Sequence, residues 1–487
     1  MRRSKDKKIE KKKNVRKRLK SEKTDIKTTT TEAHRTSKRK KLFSFVKRNK
    51  KGDKMNRQLT LRQLTDLSMG FFGVQIAYAL QSANISRIFA TLGADPHSLS
   101  WFWIFPPLMG MIVQPVIGAM SDRTWTRLGR RIPYLIVGAT VAVIVMSLLP
   151  NAGAMHMRVE AAMAFGVVAL MLLDTSINMA MQPFKMLVGD MVTESQKAKA
   201  YSIQSFLCNA GSLVGFIFPF ILANWLGVRN EAEEGVVPDS VVYSFYAGAL
   251  ILVVCVIYTV SRVREMPPEE YNRFHNIGAD TKREKMASGG IVGLLRNAPV
   301  TFWRVGLVQF FCWAAFLYMW TYLPGAVASN AWGTTDTTST AYQEAGNWVG
   351  ILMAVQAIGS VAWAPVILRF KNLKMAYAVS LAIGAIGFGS IYFIHDAYIL
   401  MLSLLLVGPA WAAMLALPFT LLTNALEGSP SMGTYLGLFN CTICLPQIIA
   451  AIIGGMILSC VGSQPAMMLV AGALLAFGSV TAYITTK

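Results

Sequence analysis

The 487-residue chain predicts an all-α membrane protein, with twelve transmembrane helices in two pseudo-symmetric six-helix halves. Three observations predict it: a charge-poor apolar composition, twelve long apolar runs, and residues that recur at a constant offset. Hydrophobic residues make up 53% of the chain and charged residues 15%, against about 25% charged in an average soluble domain. A soluble fold of this size cannot hide that much apolar surface, whereas a bilayer covers it.

The net charge of +22 is concentrated at one end, since residues 1–54 hold 24 Lys/Arg and 6 Asp/Glu. No basic body remains to bind nucleic acid. Residues 1–57 predict a disordered basic tail, low in apolar residues and lacking the apolar core of a signal peptide. The tail reads as a solvated arm, as an upstream extension before a start at Met55, or as an arm that binds anionic lipid. All six cysteines (Cys208, Cys255, Cys312, Cys441, Cys444, Cys460) fall within apolar runs and read as packing residues, so no disulfide framework or zinc site is expected.

A spanning helix needs roughly 20 mostly apolar residues. The runs are 68–91, 99–120, 132–150, 160–190, 199–225, 241–263, 300–328, 346–368, 375–395, 397–426, 431–459 and 464–484. The fourth is too long for a straight crossing and is expected to tilt or project. With both termini inside, the inner loops carry 17 Lys/Arg and the outer loops two, Arg158 and Arg229. That asymmetry places the termini in the cytoplasm, in the inner (plasma) membrane as a multi-pass protein.

Residues 264–299, with Pro267, Pro268 and Gly289-Gly290, divide the spans six and six as a cytoplasmic linker between halves 58–263 and 300–487. Val74-Gln75 recurs at Val308-Gln309 and Tyr201 at Tyr435, both at an offset of 234, and Pro183-Phe184 recurs at Pro418-Phe419, one residue further. Such echoes favour a duplicated half.

In span four, Asp174, Asn178, Gln182 and Lys185 fall at i, i+4, i+8 and i+11, on one helical face. An acid in mid-membrane costs about 3 kcal/mol or more unless it faces protein or a wet cavity, so this stripe is expected to line a pathway. Asp66, Asp122, Asp190, Asp396 and Glu427 sit at span ends, which leaves Asp174 as the mid-span carboxylate. A charge is disfavoured there, which suits a group that takes up a proton on one side and releases it on the other. Lys185 lies about 16 Å along the axis, too far for a direct pair in a straight helix; it reads as a snorkelling cation, or as a group that attracts the carboxylate or binds substrate in another conformation.

The loop after span two reads Gly118-Ala-Met-Ser-Asp122-Arg123-Thr-Trp-Thr-Arg127-Leu-Gly129-Arg130-Arg131. It resembles the signature loop of the major facilitator superfamily, which implies that fold and a gating role, clamping the halves in the outward-facing state, for Gly118, Asp122, Arg123, Gly129, Arg130, Arg131 and Asp190. Phe72-Gly73-Val74-Gln75-Ile-Ala-Tyr78-Ala79-Leu80-Gln81, Gln114-Pro115-Val116-Ile-Gly118, Gly129-Arg130-Arg131-Ile-Pro133, the spacing of Asp174, Asn178, Pro183, Lys185 and Asp190, and Gly437-Leu438-Phe439-Asn440 with Pro446-Gln447 are similar to the sucrose transporter-like branch of the glycoside–pentoside–hexuronide cation symporters. The resemblance runs from Leu67 to Lys487. It implies a proton-coupled symporter importing a disaccharide or related glucoside, with Asp174 as the coupling acid in contact with sugar. Lys185 stands where plant members carry arginine, and the two cations are not equivalent. Sodium-linked relatives carry additional acids on the second helix; 99–120 has none, which favours protons.

Sugar sites combine amides with aromatic faces. The amides are Gln75, Gln81, Asn84, Asn178, Gln182, Gln204, Asn209, Gln309, Gln356 and Asn440, and the aromatics Tyr78, Trp313, Tyr318, Trp320 and Trp411. Of these, Gln75, Tyr78, Asn178, Gln182, Gln309, Trp313 and Asn440, with Asp174 and Lys185, are taken as the substrate-binding set. Arg87, towards the outer end of span one, reads as a snorkelling residue or as part of an outer gate. The rival functions are an exporter of small amphipathic compounds or metabolites on the same fold, and a membrane sensor. No nucleotide loop, catalytic triad or metal cluster stands out, so neither an enzyme nor a cofactor is expected. The expected partners are a sugar, protons and the lipid bilayer, and the chain is expected to act as a monomer.

Overall fold

The computed structural model describes residues 58–153, 159–231, 235–274, 293, 295–426, 435 and 438–485. The basic tail, Arg158, most of the 264–299 linker, Glu427 and Gly437 lie outside the described residues. Gln58–Lys487 forms one compact unit, and its described residues hold twelve long helices. They are α1 (Leu61–Thr91), α2 (Phe105–Arg123, after a short turn at Leu99–Phe102), α3 (Ile132–Leu148), α4 (Val159–Met191), α5 (Glu194–Asn224), α6 (Asp239–Arg262), α7 (Val300–Ala331), α8 (Thr340–Ile367), α9 (Leu373–Ile391), α10 (Leu400–Ala425), α11 (Cys441–Val461) and α12 (Gln464–Thr485).

Eleven of these are long and apolar enough to cross a membrane. The exception is α1, which carries Asp66, Gln75, Gln81, Asn84 and Arg87. All five are buried, so protein rather than lipid surrounds them, as a polar membrane helix requires. Leu250, Val254 and Ile257 on α6 are instead exposed, the apolar surface that lipid covers.

The first expected boundary differs. Helix α1 starts at Leu61, seven residues before the apolar run, because Thr60 and Gln63 form a reciprocal capping box there. Of the expected span 431–459, residues 431–434, 436 and 437 lie outside the described residues, and α11 is described from Cys441 after a turn residue at Asn440.

The packing repeats. In the first half α1 contacts α4, α5 and α6; α3 contacts α4 and α6; α2 contacts α4; and α5 contacts α6. Adding six to each of these helix numbers gives contacts that the second half also makes: α7 with α10, α11 and α12; α9 with α10 and α12; α8 with α10; and α11 with α12. Across the divide, α2 meets α11 and α5 meets α8, a pair of contacts that the same operation exchanges. This is the pattern of a parallel internal repeat of six helices. Close approach is built in at Gly138 of α3, where an added Cβ would press on the α4 backbone at Ser176 and Ala180.

Among the described residues, hydrogen bonds and ring contacts between the halves run from the middle of the bundle to the end where α1 finishes. Ser86 Oγ donates to Trp320 O at 2.9 Å and accepts from Trp103 Nε1 at 2.8 Å. The Trp103 and Trp320 rings stack 5.8 Å apart, and Phe220 lies edge-on to Trp348 at 6.0 Å. His97 Nδ1 stands 3.3 Å from Gly455 O. The bundle is therefore closed at this end.

Candidate functional site

Asp174 lies near the middle of α4, 2% exposed. Gln81 Nε2 of α1 donates to its Oδ1 at 2.6 Å. Asp174 Oδ2 and Gln81 Oε1 are buried with no protein partner. In the second half two buried donors, Trp313 Nε1 on α7 and Gln356 Nε2 on α8, are likewise unpaired. Most buried polar atoms in a folded protein find a partner. Ser68 Oγ, Ser100 Oγ, Tyr322 Oη and Gln464 Oε1 are unpaired as well, so buried polar capacity without a protein partner is present in both halves. A polyhydroxylated ligand, whose hydroxyls donate and accept, has the matching chemistry.

The α4 stripe does not face one neighbour. Each four-residue step advances about 40° around the helix, so the stripe winds from α1 towards α2. Asn178 Oδ1 accepts from Gln114 Nε2 of α2 at 2.7 Å, while its Nδ2 bonds Asp174 O at 2.8 Å. Gln182 is half-buried and lies against Gly118 of α2. Lys185 is exposed, within electrostatic reach of Cys208 on α5, and makes no described bond to Asp174.

The other expected contacts divide. Gln75 is buried and accepts from Ser212 Oγ of α5 at 3.4 Å. Tyr78 is half-buried on α1, and its backbone oxygen accepts from Ser82 Oγ. Trp313 joins Trp320 and Trp411 in an aromatic cluster, with centroids 6.5 and 5.9 Å away. Asn440 is half-buried at the turn before α11. Gln309 is tied up within its own half: Nε2 donates to Met414 O and Oε1 accepts from Tyr377 Oη, both at 3.3 Å.

At the arginine-rich end, Arg130 and Arg131 are buried and share Asp190. Arg130 Nη2 is 2.6 Å from Asp190 Oδ1, and Arg131 Nε is 2.9 Å from Oδ2. Arg131 also reaches Asp122 Oδ1 at 2.5 Å and bonds Ser121 Oγ. Gly129 adopts φ 122°, a left-handed turn that favours glycine. Arg123 is exposed and makes none of these described bonds.

Sequence reasoning missed Glu265. Its carboxylate accepts from the backbone N–H of Arg130, Arg131 and Ile132 at 2.9, 2.8 and 2.8 Å, capping the positive end of α3. The Tyr271 ring lies under the Arg130 guanidinium at 3.9 Å. Burial, then the charge of Asp190, pushes the Tyr271 phenol above its usual range. Glu265→Gln is expected to cost about 1–3 kcal/mol, read as earlier thermal unfolding in detergent; an unchanged unfolding temperature would remove the cap from the account.

Gln114 was legible only as the residue before Pro115. A second cluster was legible only as polar residues four apart in α8. Arg87, fully buried, donates to Gln343 Oε1 at 2.7 Å, Asn347 Oδ1 at 2.6 Å and Asn230 Oδ1 at 3.3 Å. Gln343 and Asn347 belong to α8 and Asn230 to the α5–α6 connection, so the guanidinium bridges the halves at their closed end. This geometry resolves the snorkelling alternative against it.

The profile described as Major Facilitator Superfamily matches residues 67–329. The chain is 25% identical to the general alpha-glucoside permease of Schizosaccharomyces pombe over 291 residues, 53% of this chain and 48% of that one. It is 24% identical to the sucrose transport protein SUC3 of Arabidopsis thaliana over 220 residues, 40% of this chain and 36% of that one. The chain thus spans less than half the length of these curated relatives. The inward open structure of the xylose transporter XylE from E. coli superimposes with a TM-score of 0.58 at 16% identity, covering 87% of this chain and 94% of that one.

Proposed function

This chain belongs to the Major Facilitator Superfamily, and on that premise we propose that it is a proton-coupled symporter that imports a disaccharide or related glucoside by alternating access. The carrying observation is the buried Asp174–Gln81 pair with its two unpaired oxygens. A carboxyl in mid-helix with one oxygen free can take a proton and accept a hydroxyl. Trp313 and Gln356 bring donors from the other half, so a neutral polyol joins the halves without needing a second charge. Similarity to an alpha-glucoside permease and a sucrose transport protein supports the sugar class.

Proton and sugar enter from outside, and the inner side releases both. The Lys/Arg asymmetry supports cytoplasmic termini in a plasma membrane, which makes the sealed end the outer one and the described conformation inward-facing. In that state the Asp122, Arg130, Arg131 and Asp190 network stays within the first half, as a released clamp would. Asn178, Gln182 and Gln114 extend the polar lining from Asp174 along α4 and α2. Gln75, Tyr78 and Asn440 remain proposed contacts at its edge, and Lys185 a cation on the exit side. Gln309, bonded at both ends, contributes through packing.

The test is uptake into proteoliposomes under an imposed pH gradient, with sucrose, maltose and trehalose each supplied alone. Accumulation of at least one sugar that scales with the gradient is expected. Equilibration without accumulation for every sugar, or gradient-driven efflux, would defeat the importer reading.

A further inference from the structure

Gln81 and Gln309 are both buried amides on the central helices α1 and α7, yet they are bonded differently. Gln309 uses both ends of its amide within the packing. Gln81 uses one: Nε2 donates to Asp174, and Oε1 is buried without a protein partner. An amide that serves packing alone is satisfied at both ends, as Gln309 is. The free end of Gln81 asks for another role.

The chemistry of the pair supplies one. An ionised carboxylate only accepts, so it requires the NH2 end of the amide. A protonated carboxyl also donates, and the carbonyl end of the same amide can receive that hydrogen. The terminal torsion of a glutamine is broad and roughly two-fold, so turning the amide end for end is a small movement. Among the described residues, α2, α3, α5 and α6 bring no charged side chain within ion-pair distance of Asp174; Tyr78 on α1 is the titratable neighbour in electrostatic reach.

We propose that Gln81 is the positioning residue that couples proton to sugar: its amide reverses as Asp174 gains or loses a proton, and the end left over meets the substrate. With the acid ionised, the pair presents two acceptors, Gln81 Oε1 and Asp174 Oδ2. With a proton taken from the outer water onto Oδ1, Gln81 Oε1 receives it. The pair then presents a donor, Nε2, beside an acceptor, Oδ2. That alternation fits two neighbouring hydroxyls of a pyranose, one accepting and one donating. When the proton leaves to the inner water, the amide turns back and the match is lost.

The inference rests on the symporter reading, and the experiment separates the two. Wild type and Gln81→Met, which keeps the length without the amide, are compared in proteoliposomes with the disaccharide that wild type accumulates best. Gradient-driven net uptake is divided by counterflow from preloaded vesicles without a gradient. Only net uptake requires the acid to lose its proton before the empty carrier returns. Both rates are expected to fall, and their ratio to fall at least about tenfold. Should Gln81→Met fail to fold, Gln81→Glu, of the same length but without an obligatory donor, reads the same ratio. A folded variant with the wild-type ratio overturns the role of Gln81; a wild type that accumulates no sugar overturns the symporter reading itself.

Discussion

Asp174→Asn is expected to end gradient-driven accumulation, bringing the inside-to-outside sugar ratio to one. A difference of one pH unit carries about 1.4 kcal/mol per proton, a tenfold concentration ratio for each proton moved with a sugar. Asparagine has nearly the shape of aspartate and keeps the oxygen that accepts from Gln81 Nε2. It has no proton to exchange. Replacing a buried acid by an amide also removes the need to solvate a charge in the interior, so the folded yield is expected to hold. Uptake along the time course, with internal volume known, reads the ratio. A variant that still concentrates sugar would take Asp174 out of the coupling.

Arg87→Met is expected to shift the bundle towards an open outer end. Three hydrogen bonds from a charged donor contribute roughly 1.5–3 kcal/mol each, which outweighs the several kcal/mol lost in desolvating one guanidinium. Arginine, weakly hydrated and forked, suits such a site. Its removal leaves the Gln343 and Asn347 oxygens without that donor, while Asn230 Oδ1 still accepts from Ser240 Oγ and Asn347 Nδ2. A buried acceptor without a partner costs about 1–3 kcal/mol, and opening to water relieves it. The equilibrium between closed and open is expected to move by about tenfold or more. Gly346→Ala attacks the same latch from α8, because an added Cβ there would collide with the Arg87 side chain. Spin-label distances between positions 226 and 335, in a background freed of the six native cysteines, report the shift. An unchanged distance distribution in both variants would mean that Arg87 holds nothing shut.

Much of this fold was written in the sequence as bulk properties. Apolar runs of about 20 residues mark helices because a helix satisfies its own backbone hydrogen bonds in the bilayer, and the spacing that repeats at about 234 residues reappears as matching helix contacts. The acid at position 174 was visible because a mid-span carboxylate is costly wherever it stands. Partners were harder. Nothing in the sequence said that Gln81, rather than Gln75 or Asn84, would meet Asp174, since all three lie on a helix buried around its whole circumference. The α4 stripe looked like one face, but its drift around the helix hands Asn178 to Gln114. Glu265 went unnoticed because a helix end in α3 needs an acceptor from anywhere, and the chain supplied it from beyond α6. Gln309 repeats Gln75 in register and not in role: duplication preserves position, while local neighbours decide which amide is left with a free end.

The most direct test of the central claim, that each sugar crosses with a proton through Asp174, is the pH of the outer medium when sugar is added to proteoliposomes with no imposed gradient. The account predicts alkalinisation on addition of the transported disaccharide to wild type, and none with Asp174→Asn. Sugar entry into wild-type vesicles with no change in external pH would contradict it.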